Sequence, residues 1–119
     1  MNKTKESMMR NKSLSIMTLE FFSIRFNIRK ELLSWGIEKI TTEDSVSFAP
    51  VVLVDGDEMF IDIRKDCRSP RRSVYGSEAE LLPAKMTETE EAYIFSAEGA
   101  EYIFTKEDVE ALYERKVML

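Results

Sequence analysis

The sequence predicts a small, single α+β domain with a long N-terminal core helix, an antiparallel sheet built from two hairpins, and a C-terminal helix. Three observations carry that prediction. Apolar residues recur at helical spacing from Thr18 to Trp35, two β-rich stretches each fold about a turn dipeptide, and a capped amphipathic pattern closes the chain. At 119 residues the chain can bury one core and is too short for two ordinary domains.

Residues 1–17 read as a basic N-terminal arm, polar with scattered methionines, ahead of a domain spanning 18–119. In the helix that follows, Phe21, Ile24, Ile28, Leu32 and Trp35 form one stripe, and Leu19, Phe22, Phe26 and Leu33 form the adjoining one. Thr18 suits the N-cap, Glu20 the first turn, and Arg29 and Lys30 the C-terminal end. Gly36 is placed to take the left-handed residue that stops the helix.

Strand chemistry begins with the short stretch IEKIT and continues through VSFAPVVLVDGDEMFIDIR, where Asp55-Gly56 is a strong hairpin signal. A two-residue turn there pairs Val54 with Asp57 and Val52 with Met59. Val52, Val54, Met59, Ile61 and Ile63 then share one apolar face. Pro50 has no N–H for a ladder, so its end of the strand belongs at an edge or a bulge. Residues 65–77 read as a long loop, and EAELLPAKMTETE as a short element stopped by Pro83.

The second hairpin, YIFSAEGAEYIF, admits two registers. A two-residue Glu98-Gly99 turn sets Phe95 opposite Tyr102 and Tyr93 opposite Phe104, with four aromatics on one face. A three-residue loop ending at Gly99 divides them between faces. The first is favoured, because a one-sided aromatic face gives the helix a surface to cover. Thr105 and Asp108 then open the C-terminal helix, with Val109, Leu112, Tyr113 and Val117 as its core stripe.

Composition narrows the chemistry. No apolar run reaches membrane-spanning length, and no apolar leader segment follows the basic start, so a cytoplasmic location is expected. Cys67 is the single cysteine and histidine is absent, which excludes an intramolecular disulfide and the Cys/His zinc arrangements. Cys67 also lacks a histidine base, and reads as an incidental thiol. No cofactor is expected.

The stretch VDGDEMFIDIRK resembles, in outline, the metal-dependent nucleases of the PD-(D/E)xK type. The resemblance implies a divalent cation held by Asp55 or Asp57 together with Asp62, with Arg64 in the position of the catalytic lysine. Arg64 is permanently protonated and cannot take a proton from water. Lys65 points to the opposite strand face, and the turn itself accounts for Asp55.

Charge supplies two more candidate surfaces. Residues 1–30 hold seven Lys/Arg and two Asp/Glu, net +5, whereas residues 31–119 hold ten and twenty, net −10. Arg64, Lys65, Arg68, Arg71 and Arg72 gather within nine positions and could contact phosphates, making nucleic acid an alternative partner. Glu78, Glu80, Glu88, Glu90, Glu91, Glu98 and Glu101, with Glu107, Asp108, Glu110 and Glu114 continuing the array, could instead face another protein with a basic surface. Small acidic inhibitors encoded by phages, anti-CRISPR proteins among them, are similar in size and charge. The sequence reading is therefore a non-enzymatic protein-binding protein, an inhibitor or immunity factor acting through its acids. The alternatives are a nucleic-acid binder or divergent nuclease, and an oligomeric accessory protein.

Overall fold

The structure is a computed structural model that describes residues 17–56, 59–70 and 77–110. The described residues form a mostly β fold, which corrects the expected α+β arrangement with its long N-terminal core helix. The helix is short: α1 spans Leu19–Phe26. Thr18 caps its start as expected, its Oγ1 accepting the Phe21 N–H at 3.0 Å.

Its end lies well before Gly36. Asn27 adopts the left-handed conformation (φ 56°, ψ 52°), and the N–H groups of Asn27 and Ile28 return to the carbonyls of Ile24 and Ser23. Asparagine tolerates this conformation almost as glycine does. A 3-10 turn, Lys30–Leu32, then leads into β1 (Leu33–Thr42). Trp35 and Gly36 are therefore strand residues. The segment has partners on both sides, which outweighs its helix-like spacing.

β1 pairs antiparallel with β2 (Val46–Val54) on one side and with β5 (Ser77–Pro83) on the other. β3 (Met59–Asp62) and β4 (Cys67–Pro70) complete a five-stranded sheet of order β4-β3-β2-β1-β5. The expected 65–77 loop thus contains a strand. Residues 71–76 lie outside the described region, as do residues 1–16 of the arm.

At Pro83 the chain leaves this sheet. β6 (Lys85–Glu88), β7 (Ala92–Ala97) and β8 (Ala100–Thr105) form a second, three-stranded antiparallel sheet of order β6-β7-β8. The two hairpins therefore belong to different sheets. Residues 106–110 are helical, with the Asp108 N–H donating to Thr105 Oγ1 at 3.2 Å. The remainder of the expected C-terminal helix, with Leu112, Tyr113 and Val117, lies outside the described residues.

The first hairpin is paired Val52 to Ile61 and Leu53 to Phe60, two residues away from the expected register. An even slip preserves the side of every residue. Val52, Val54, Ile61 and Ile63 consequently remain together in the main core. Pro50 lies in an interior strand, beyond the residues of β2 paired with β3. Its carbonyl accepts the Ile63 N–H at 3.4 Å.

In the second hairpin, Phe95 opposes Tyr102 and Tyr93 opposes Phe104, the favoured register. Glu98 (φ 49°) and Gly99 (φ 82°) both take the left-handed conformation of a type I′ turn. The main core lies between the sheets and beneath α1: Trp35 meets Phe22 at 6.2 Å and Phe95 at 5.8 Å, while Phe48 stacks on Tyr102 at 4.4 Å. A smaller cluster, Val51, Leu53 and Phe60 with Leu81, occupies the other face of the five-stranded sheet.

Candidate functional site

The turn after β3 carries Arg64 and Lys65 of the candidate basic residues and follows directly on Asp62, a candidate metal residue at the end of that strand. Asp62 is buried, and its carboxylate accepts the Lys65 N–H at 3.0 Å while its carbonyl accepts the Asp66 N–H at 2.7 Å. These bonds hold the chain in a tight reversal. Asp66, with φ 55°, then receives Arg25 Nε of α1 at 2.7 Å and the adjacent guanidinium nitrogen. A two-toothed guanidinium–carboxylate contact fixes orientation as well as distance.

Two of the candidate arginines are engaged here, Arg64 from this turn and Arg68 from β4. Arg68 donates to the Phe26 carbonyl, one of the acceptors that a helix leaves free at its C-terminus. Arg64 lies over the Phe104 ring, 5.5 Å from its centre, and so ties the turn to β8. Lys65 is exposed. Arg71 and Arg72 lie outside the described residues. The basic stretch thus spends Arg64 and Arg68 on joining α1 and the two sheets.

The metal alternative is dispersed. Asp55 follows β2 and is exposed, whereas Asp62 pairs with Val51, four residues back along that strand. At about 3.3 Å per residue, the two backbones are about 13 Å apart, beyond the reach of one shared cation. Asp57 lies outside the described residues. Among the described residues, no three Cys, Asp or Glu side chains converge as metal ligands.

Asp62 has a neighbour that the sequence did not single out. Glu38 of β1 has its carboxyl pushed above the ordinary glutamate range, by burial first and then by the charge of Asp62, with Lys65 partly opposing. Alternation along IEKIT places Glu38 opposite Ile37 in facing, but its meeting with Asp62 depends on strand order. A raised carboxyl pKa means that the folded state holds the proton longer than the unfolded chain. Its stabilising contribution is complete below the ordinary glutamate range and is lost as pH rises through the folded-state titration. Glu38→Gln should therefore unfold at a higher midpoint than wild type at neutral pH, and the difference should vanish in acid. Because Glu38 is partly exposed, the gain should stay below about 1 kcal/mol. Denaturant titrations at several pH values measure it.

The acids separate into three places. Glu80 sits in β5 opposite Lys39, and Glu78 lies two pairs further along, opposite Thr41. Glu98 and Glu101 lie at the β7–β8 turn. At the far end of the three-stranded sheet, Glu88, Glu90 and Glu91 meet Glu107, Asp108 and Glu110, because Ala92 pairs with Thr105 and the Lys106 N–H bonds the Glu91 carbonyl at 2.9 Å. Lys106 contributes one positive charge, its Nζ bonding Glu88 at 2.6 Å and lying 5.4 Å from the Tyr93 ring centre.

Tyr93 anchors this acidic end from within. It is buried, donates its hydroxyl to Glu110, and has its phenol pushed well above the ordinary range, chiefly by burial and then by the bond to Glu110. Val109 is buried beside it in the main core. Glu88, Glu90, Glu91, Glu107 and Asp108 are exposed. Glu107 and Asp108 belong to the charged array read from the sequence, but it is the pairing of β7 with β8 that brings them beside Glu90; Glu114 lies outside the described residues.

Comparison with protein-family models, with curated proteins and with solved structures finds no match.

Proposed function

We propose that this chain is a non-enzymatic protein-binding protein that docks a basic protein surface on the acidic end of its three-stranded sheet. The supporting observation is the convergence there of Glu88, Glu90, Glu91, Glu107 and Asp108, exposed and drawn from two separate stretches, against Lys106. Gathering like charges opposes folding, and it also creates a field that steers a cationic partner. The basic turn offers less for nucleic acid, since Arg64 and Arg68 are occupied within the fold.

Because exposed charges are screened over about 8 Å at physiological ionic strength, binding should weaken as salt rises. Affinity capture from the native host at low and high salt tests this, with wild type beside the combined Glu90→Lys, Glu91→Lys and Glu107→Lys variant. Three exposed pairs at about 0.5 kcal/mol each amount to roughly tenfold weaker binding for the reversed variant. Capture of the same proteins by the reversed variant, unchanged by salt, would overturn the reading. Magnesium- or manganese-dependent DNA cleavage abolished by Asp62→Ala would replace it with the nuclease.

A further inference from the structure

The four sheet edges are not equally guarded. β4 is four residues long and carries Arg68 and Pro70, β5 carries Glu78 and Glu80 and ends in Pro83, and β6 is four residues long with Lys85 and Glu88 at its ends. Short length, charge and proline are the usual means of keeping an edge from pairing. β8 has little of this. It is six residues long, free of lysine and proline, in unbroken register with β7, and it exposes 63% of Ile103.

Its backbone is set up to receive another strand. Alternate residues of an antiparallel strand direct their N–H and C=O groups to opposite neighbours. Counted from the two-residue turn, Ala100, Tyr102 and Phe104 bond β7, which leaves Glu101, Ile103 and Thr105 directed outward. Among the described residues, no backbone hydrogen bond runs outward from β8.

We propose that β8 pairs antiparallel with β8 of a second copy of this chain, about a two-fold axis at Ile103, joining two three-stranded sheets into one of six strands. This edge runs away from the acidic end and adjoins it only at Thr105. The choice of a second copy rests on self-complementarity, which an isologous contact requires. Centring on Ile103 sets Ile103 against its counterpart, Tyr102 against Phe104, and Glu101 against Thr105. All three outward residues find partners, and no carboxylate faces another. Centring on Glu101 would oppose two carboxylates, which is unfavourable. On the outer face, Ile94, which pairs with Ile103 across β7, extends the apolar row into both copies.

Cross-linking tests the register directly. With Cys67→Ser as background, Ile103→Cys should form a disulfide-linked dimer under mild oxidation, because facing Cα atoms about 5.5 Å apart lie within disulfide reach. Glu101→Cys should stay unlinked, since four residues at about 3.3 Å put it about 13 Å from its own counterpart. Ile103→Pro removes an outward N–H that no backbone carbonyl among the described residues accepts. That variant should keep the wild-type circular dichroism and sediment as a monomer where wild type sediments as a dimer. A monomeric wild type at all concentrations would overturn the proposal. So would equal linking at both cysteines, or a dimer that survives in a folded Ile103→Pro.

Discussion

Phe95→Ala is expected to destabilise the protein by about 3–5 kcal/mol, the range for removing a large buried aromatic side chain. Phe95 is fully buried in the middle of β7. Its ring meets Trp35 of the five-stranded sheet at 5.8 Å and Phe104 of β8 at 5.6 Å, edge to face in both contacts. Trp35 meets Phe22 of α1, so the truncated ring lies on a continuous path of aromatic contacts from helix to second sheet. Replacement by alanine would remove ring-to-ring contacts on two sides and leave a cavity that rigid strands cannot close. Urea unfolding should show a lower midpoint at an unchanged slope, because the surface exposed on unfolding is nearly the same. A loss under about 1 kcal/mol would contradict face-to-face packing of the two sheets through this residue.

Gly36→Ala is expected to cost about 1–3 kcal/mol, although alanine is ordinarily an acceptable strand residue at a negative φ. A Cβ built at Gly36 would lie 2.6 Å from Leu53 Cγ and 2.9 Å from both of its methyl carbons. Gly36 pairs with Val51 and with Pro83, so it is held from both sides and cannot withdraw. Leu53 must shift, in a cluster that also contains buried Val51 and Phe60. The test is a double-mutant cycle. Leu53→Ala alone should cost about 2–5 kcal/mol, and the double variant should fall short of the sum by about 0.5–3 kcal/mol, because the second truncation removes the clash. Strict additivity would show that Gly36 is needed for some other reason.

Gly36 also shows how a residue type can be recognised and its role misread. Glycine after an amphipathic run signals a helix end, yet the helix already stops at Asn27 and Gly36 makes room for Leu53. The spacing of Leu32 and Trp35 continued the helical stripe only in sequence. In the structure, Ile24, on that same stripe, is 75% exposed, while Trp35 reaches the core from a strand. The charged residues show the same division. Asp62 was legible as an acid in a strand; its use in holding a turn and its proximity to Glu38 were not. The acidic stretch was legible as charge, but Glu98 and Glu101 lie at the opposite end of the hairpin from Glu90 and Glu91.

By itself the sequence determined features whose causes lie within a few residues: the Thr18 and Thr105 caps and the alternating faces of the first hairpin, while it favoured the Glu98-Gly99 turn over one alternative. Those faces survived even a two-residue register slip, because strand side chains repeat every second residue. The tertiary structure decided where α1 ends, that the two hairpins enter different sheets, and which acids and arginines meet. Each of these depends on strands distant in the chain finding hydrogen-bond and packing partners. Such pairing free energy belongs to both partners together, and neither local propensity nor local spacing carries it.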